Sequence, residues 1–376
     1  IQTIPFAIYF LTRSTASVYR WAAVLTLLLA FLVQTRSRGA WLGLLIAIVV
    51  GFIVVRFSPT VIRIPRKALA ISLVLGVLLG AIPPQTGKLG PQDIDEKKTT
   101  ISDTIGSVLS DGGDRGRTML WKRTLEMIVD QPFGVGLGNW AIQYPRYDSG
   151  TLVTFHGAPA RPHNDYLWIA SESGIVGLGI FIWLLAVALR AGIRGDRDIA
   201  LAAAISLVAL MVHSCFSFPR DRATPTLIFW FVLGILGSDR QRAKNVNRLQ
   251  WLTAAVVMGV SVLLSARLFS FESHLHHARA PEQAGDWKEV ARHTSLALET
   301  GRFHSEAIHL HGYALNAQGD FEGALAHYSG DAHRRPHDVQ FLNGYAIALQ
   351  NTGNHTEAIA QYQHARDLVA TSTDLD

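Results

Sequence analysis

The residues best suited to chemistry stand in three short stretches. The first is Thr35-Arg36-Ser37-Arg38-Gly39-Ala40-Trp41, two arginines set between apolar runs. The second opens at Arg115-Gly116-Arg117, passes Trp121, Lys122 and Arg123, and ends in Pro132-Phe133-Gly134-Val135-Gly136-Leu137-Gly138-Asn139. The third is Arg161-Pro162-His163-Asn164-Asp165, with Glu172-Ser173-Gly174 following inside apolar sequence. Guanidiniums hold phosphate oxygens in a planar fork. A histidine with a free pKa near ~6.5 offers a neutral, proton-accepting form at neutral pH. Such arginines suit an anionic group such as phosphate.

Plainer readings stand beside these. Arg36 and Arg38 can snorkel to lipid headgroups. His163 alone fits an interfacial histidine bonded to backbone, and Glu172 fits a structural partner for an arginine such as Arg38. The glycines at 134, 136 and 138 are not a dinucleotide fingerprint, because the third comes one position early and no strand–helix unit surrounds them. A turn that lets backbone pack closely is the better reading.

The elements that must position these residues are membrane helices. Of 376 residues 49% are hydrophobic and 17% charged, and the mean hydropathy is +0.22. That composition excludes disorder, and the single cysteine, Cys215, excludes a disulfide scaffold. Residues 1–270 carry 27 Lys+Arg against 15 Asp+Glu; residues 271–376 carry 7 against 14, with 12 of the 15 histidines. A basic membrane body therefore precedes an acidic tail, and its basic charge need not mean nucleic acid. Apolar runs at about 18–35, 39–56, 67–84, 165–189, 199–218, 224–238 and 251–270 are read as seven spans of ~30 Å hydrocarbon. The chain opens on Ile1 and turns apolar at once, so it reads as a piece of a longer protein.

Alternate short loops hold 13 basic residues on one side (from Arg13 and Arg20 to Arg240, Arg242, Lys244 and Arg248) and only Arg36, Arg38, Arg220 and Arg222 on the other. The richer side is cytoplasmic, which puts the segment 86–162 and the tail outside. The Thr118–Asp130 segment has an apolar stripe of Leu120, Trp121, Leu125, Ile128 and Val129, suited to a helix on the membrane surface.

In the tail, Gly285-Asp286-Trp287, Gly319-Asp320-Phe321 and Gly353-Asn354-His355 recur every 34 residues, the tetratricopeptide period. Ala324 with Tyr328 and Ala358 with Tyr362 each share a helical face. Residues 271–376 thus read as a soluble helical array whose concave surface can take a protein partner. His276-His277 and His309-x-His311 lack nearby ligands to complete a metal set, so no metal and no cofactor are expected.

Taken together, Ser37-Arg38-Gly39-Ala40-Trp41, Trp121 with Pro132 to Asn139, and His163-Asn164 with Glu172-Ser173-Gly174 resemble the O-antigen ligase/polymerase superfamily, over about 20–240. The resemblance implies an all-α fold: a polytopic helical membrane domain (1–270) followed by a soluble tetratricopeptide array (271–376). It also implies a metal-independent enzyme of the bacterial cytoplasmic (inner) membrane with its active site on the periplasmic or external side. Such an enzyme transfers glycan from a polyprenyl-diphosphate carrier to a glycan, lipid or protein acceptor in envelope polysaccharide assembly. Carried over, Arg38 and Arg117 bind the diphosphate, His163 is the base, and Arg36, Arg115, Arg123, Asn164 and Glu172 are substrate-binding candidates. The family's loop motif of arginine, three residues, leucine is imperfect, since Leu120 follows Arg117 after two residues, which leaves Arg115 or Arg123 as the equivalent. The family's early spans are missing from this stretch, so these residues alone need not be active. Arg220 and Arg222 stand outside the motifs and are expected to be more replaceable. The rival readings are a protein O-oligosaccharyltransferase and a non-enzymatic membrane-anchored scaffold for envelope assembly.

Overall fold

The structure is a computed structural model that describes residues 1–13, 17–57, 65–82, 116–148, 150–154, 157–194, 198–238, 247–301 and 304–369. Arg115, most of the first half of the expected external loop, and the basic residues Arg63, Arg197, Arg240, Arg242 and Lys244 lie outside the described residues. Those described are all-α, with one isolated bridge, Thr154 to Gly157. They form two compact units: residues 1–134 with 161–239, and residues 135–160 with 240–376.

The first unit runs through α1 (Ile4–Arg13), α2 (Val18–Gln34), α3 (Arg38–Phe57), α4 (Arg66–Ala81) and α5 (Arg117–Asp130). It resumes after the short helices α6 (Trp140–Gln143) and α7 (Pro145–Asp148) with α8 (Asp165–Arg194), α9 (Asp198–Ser214), a 3-10 turn (Pro219–Asp221) and α10 (Ala223–Gly237). By length and composition Arg38–Arg56, Asp165–Arg194 and Arg248–Ala284 can cross a membrane; Val18–Gln34, Ile199–Ser214 and Ala223–Gly237 are apolar but shorter. The run expected over 199–218 leaves the helix at Ser214. Pro219 disfavours helical backbone in the residue before it, and Phe218 sits at φ −129°, ψ 58°. Outward residues such as Phe31, Phe52 and Trp183 are exposed, as on a surface meeting lipid.

Small residues set the helix seams. On α4, Ser72, Gly76 and Gly80 face α2, and Ser72 Oγ donates to the Ala22 carbonyl at 2.9 Å. A Cβ at Gly76 would stand 2.6 Å from Leu29 Cβ. On α3, Gly39, Gly43 and Gly51 face α9 and the turn after it; a Cβ at Gly43 would stand 2.6 Å from the Ala209 carbonyl oxygen. In lipid no hydrophobic force draws helices together, so close backbone approach through small residues supplies the attraction. Leu185, Ala188, Ala203, Ala204, Leu207, Val232 and Leu236 close the α8–α9–α10 core.

Helix α5 packs on α8 through Leu120, Thr124 and Met127, which are buried, while Leu125 and Val129 are exposed. The single stripe expected from the sequence is therefore divided between a protein face and an outward face. Beyond it, Gly134 (φ 85°) and Gly174 (φ 73°) lock the loop to a kink in α8. The Ile175 N–H donates to the Pro132 carbonyl at 2.9 Å, and a Cβ at Gly174 would stand 2.6 Å from the Phe133 carbonyl carbon.

The second unit begins, among the described residues after 239, with α11 (Arg248–Ala284), so the boundary expected near 270 falls inside one continuous helix. Next come α12 (Trp287–Thr300), α13 (Ser305–Gln318), α14 (Phe321–Asp331), α15 (Val339–Asn351) and α16 (His355–Val369). The repeated Gly-Asp pairs are turns in which glycine ends one helix and aspartate caps the next. Gly285 and Gly319 have φ 73° and 80°, Asp286 Oδ1 accepts from the Glu289 N–H at 3.2 Å, and Asp320 Oδ1 accepts from the Gly323 N–H at 3.0 Å. Ala324, Tyr328 and Ala358 are buried in one cluster with Phe341 and Tyr345.

Residues 135–160 belong to this unit, with α7 packed on α16. Their hub is the buried Asp148, whose Oδ1 accepts from Tyr144 Oη at 2.7 Å. Its Oδ2 accepts from the Leu152 and Val153 N–H groups at 2.6 and 2.8 Å. Tail histidines bond locally: His309 Nε2 lies 2.7 Å from Asp338 Oδ2, and His311 Nδ1 lies 2.9 Å from Thr294 Oγ1. Among the described residues no group of three or more His, Cys, Asp or Glu gathers to hold a metal.

Gly43→Ala should destabilise the detergent-solubilised protein by ~1–3 kcal/mol, because the methyl meets rigid backbone. Gly234→Ala, at a site with no atom within 4 Å of the new methyl, should leave stability unchanged or slightly raised through helix propensity. Thermal unfolding monitored by circular dichroism compares the two; equal midpoints would remove the α3–α9 seam as a constraint.

Candidate active site

Four backbone features bring the charged residues of the first unit together. The α3–α9 seam ends with Gly39 against α9 and its turn: a Cβ there would stand 3.0 Å from Phe216 Cβ and 3.3 Å from His213 Nδ1. Arg38, the first residue of α3, thus begins beside the last turn of α9. Arg36 precedes it in the left-handed region at φ 50°, and its Nη1 is buried with no hydrogen-bond partner. A buried guanidinium N–H without an acceptor is costly and suits a site that awaits an anion.

The second feature is the start of α5. Gly116 caps it at φ 75°, and Arg117 is its first residue. One turn on, Trp121 Nε1 donates to the Pro162 carbonyl at 2.9 Å, and its ring lies 6.2 Å from Phe216. That bond ties α5 to the residue before His163.

His163 is the third. It adopts φ 54°, a conformation that costs a non-glycine residue about 1–3 kcal/mol and tends to cluster at functional sites. Its ring meets Phe218 edge-on, with centroids 4.9 Å apart. Partial burial, then the charges of Arg117 and Arg161, push its pKa below the ordinary histidine value. Arg117 is also within electrostatic reach of His213. The structure therefore brings Arg117, His163, Arg161 and His213 into one neighbourhood.

The fourth is the start of α8 and the turn before α10. Asn164 Oδ1 accepts from the Tyr166 and Leu167 N–H groups at 3.0 and 3.1 Å; it caps α8, so this side-chain oxygen is committed to backbone. Asp165 is buried, and its Oδ2 accepts from Ser214 Oγ and from the Arg220 N–H, both at 3.2 Å. Arg220 Nε lies 3.8 Å from Asp165 Oδ1, and its guanidinium stacks on Trp168. Arg161 pairs with Asp221 at 2.5 Å.

The remaining candidates stand apart in role. Arg123 pairs with Glu126 at 2.9 Å, and its buried Nε has no hydrogen-bond partner. Glu172 is buried two residues before the α8 kink at Gly174, where its carbonyl meets Gly134. His213, Asp221 and Phe218 did not emerge as site residues from the sequence, and Arg161 and Asp165 stood in a chemistry-bearing stretch without an assigned role. The alternation of Arg and Asp after Phe218-Pro219 was the one signal available for the pairs.

Chemically, this corner presents an excess of guanidiniums around a partly desolvated neutral imidazole. It favours a polyanion and can accept a proton. Comparison with known proteins gives the following similarities. Residues 22–182 match the family model described as O-antigen ligase. That stretch is shorter than the 20–240 expected, and it includes Arg36, Arg38, Arg117, His163 and Glu172. A provisionally named polysaccharide ligase of Rickettsia conorii is 29% identical over 202 residues, covering 48% of this chain and 45% of that protein. Similarly named proteins of Rickettsia felis and Rickettsia prowazekii are 27% and 26% identical over 202 residues, each with 48% of this chain and 46% of theirs. The chain thus spans about half the length of the curated relatives it matches. No solved structure matches it.

Trp121→Phe keeps the ring and removes the bond to Pro162. It should cost ~1 kcal/mol and speed the modification of half-buried His163 by diethyl pyrocarbonate. Mass spectrometry of the His163 peptide reads the rate; a rate equal to wild type would mean that this bond does not hold the loop.

Proposed function

We propose that this chain carries the catalytic corner of a membrane glycan ligase. The enzyme transfers a glycan from a polyprenyl-diphosphate carrier to an acceptor hydroxyl on the external side of a bacterial cytoplasmic membrane, in envelope polysaccharide assembly. The observation that carries the reading is the placement of strained His163 within electrostatic reach of Arg117. In the reaction the acceptor oxygen attacks the anomeric carbon and His163 takes its proton. The bond from that carbon to the diphosphate oxygen breaks, and the diphosphate leaves with the bonding pair. Arg38 and Arg117 neutralise the charge growing on it, the kind of contribution that is usually largest. A single displacement inverts the anomeric centre. Diphosphate departs readily, so this scheme routes no step through a metal.

Supporting parts follow from the same reading. Asn164 and Asp165 hold the start of α8 in place, while Arg36, Arg115, Arg123 and Glu172 are assigned to substrate contact or to the positioning of other charges. Residues from about 271 onward are assigned as a tetratricopeptide array outside the membrane, offered to a protein partner or to the acceptor. The 13-to-4 asymmetry of basic residues supports the orientation.

Orientation is tested by thiol labelling in a Cys215→Ser background. With the outer membrane permeabilised, Asn316→Cys should react with an impermeant reagent in intact cells and Arg248→Cys should not. The reverse pattern would overturn the topology.

The chemistry is tested by transfer from purified polyprenyl-diphosphate glycan, using full-length, expression-matched variants. His163→Ala should lose about 10²–10⁴ in rate, the usual worth of a positioned general base. Arg38→Lys and Arg117→Lys should each lose ~10² despite keeping charge, since an ammonium cannot reproduce a fork on diphosphate oxygens. The base must be neutral to act, so a lowered His163 pKa keeps activity level as pH falls and places the acid limb below the ordinary histidine range. Arg161→Gln removes one of the charges that lower it and should move that limb to higher pH. Full activity in all of the His163, Arg38 and Arg117 variants would remove these residues from the mechanism, no transfer by the wild-type protein would favour the scaffold reading, and transfer to protein alone would favour the oligosaccharyltransferase.

A further inference from the structure

The turn between α9 and α10 carries three guanidiniums in a small space when Arg161 is counted with Arg220 and Arg222. Two of them are spoken for. Arg220 is held by Asp165, through the ion pair at 3.8 Å and the backbone bond at 3.2 Å, and by the face of Trp168 at 4.9 Å. Arg161 is held by Asp221 at 2.5 Å. Arg222 has neither acid: both carboxylates of this corner are already engaged. Among the described residues no ion pair to Arg222 is present.

What Arg222 does have is Phe218. Its Cζ lies 5.3 Å from that ring centroid, Arg161 Cζ lies 4.8 Å from the same centroid, and the His163 ring lies 4.9 Å away. Phe218 is thus a platform shared by the proposed base and two cations. Stacking fixes a guanidinium plane while leaving its N–H edges open to an acceptor. Two cations on one ring also repel, and Asp221 offsets only one of them. Arg222 is itself exposed, and its stacking holds it on the same Phe218 ring that His163 meets edge-on. An anion bound to these guanidiniums would offset that repulsion.

We propose that Arg222 is a further substrate-binding residue of this site and holds the diphosphate of the lipid-linked donor, alongside Arg117 and on the Phe218 side of His163. The inference rests on the ligase reading for the identity of the donor. It concerns a residue outside the 22–182 stretch that matches the family model, and one that the sequence alone ranks as replaceable. Arg161 and Arg220, paired with carboxylates, are positioning residues in this scheme.

The test uses the full-length protein in detergent, with inorganic pyrophosphate as the probe and calorimetry as the readout, so that it needs no glycan. Arg222→Gln should weaken pyrophosphate binding about tenfold or more and Arg222→Lys by less, the size of one lost charge-assisted contact. Phe218→Leu, which removes the platform and keeps the charge, should weaken it as well. In the transfer assay Arg222→Gln should raise KM for the donor and leave KM for the acceptor unchanged, a split that a general loss of folding would not give. Arg222→Gln binding pyrophosphate within twofold of wild type would overturn the proposal, and so would a wild-type protein that does not bind it. Arg222-dependent pyrophosphate binding in a protein that transfers no glycan would uphold the anion site and overturn the ligase reading instead.

Discussion

The approach of α3 to α9 is the constraint from which the candidate site follows. Lipid offers these helices no hydrophobic reward for touching, so their contact depends on how near two backbones can come. Gly39, Gly43 and Gly51 recur along one face of α3 and admit His213, Ala209 and Ile205 to that face. A helix locked at this distance has no freedom to slide. Its first residue, Arg38, is therefore delivered to the last turn of α9, next to the turn that carries Phe216 and Phe218. The Gly134–Gly174 lock does the same for the loop: it fixes where α5 ends against α8, and Trp121 then fixes where His163 begins.

Charge is managed within that frame by pairing some groups with acids and setting another against the histidine. Asp165 and Asp221 each engage one arginine, which spends attraction on position. Arg117 instead acts on His163, where burial and positive charge both oppose protonation. A cationic corner that keeps its histidine neutral can bind a polyanion and still accept a proton. A site made only of salt bridges could do neither.

The second unit adds a different kind of order. Residues 135–160 take their place with the helices of the second unit. Asp148 holds this segment by satisfying a phenol and two backbone N–H groups at once. The second unit therefore organises part of the long loop as well as its own helices. Tail histidines that look like a metal motif in sequence serve as local hydrogen-bond partners across helix contacts, as His309 does with Asp338 and His311 with Thr294.

Much of this was legible in the residues themselves. Apolar runs of near-span length specify helices because a backbone in hydrocarbon must satisfy its own hydrogen bonds, and the 34-residue recurrence of Gly-Asp specifies turns because glycine tolerates positive φ and aspartate caps. Arg38, Arg117 and His163 were visible because charge at the edge of an apolar run is costly and so conspicuous. What the residues could not disclose was pairing across distance. Asp165 reads as an ordinary helix start until Ser214 and Arg220 close on it, and Phe218 reads as one more apolar residue until His163, Arg161 and Arg222 meet over its ring. The end of α9 at Ser214 and the division of the α5 stripe between protein and exterior were likewise decided by packing. Local composition fixes the energy of a segment alone; which arginine keeps an acid, and which stacks on a ring instead, depends on neighbours dozens of residues away that only the folded chain brings within a few ångströms.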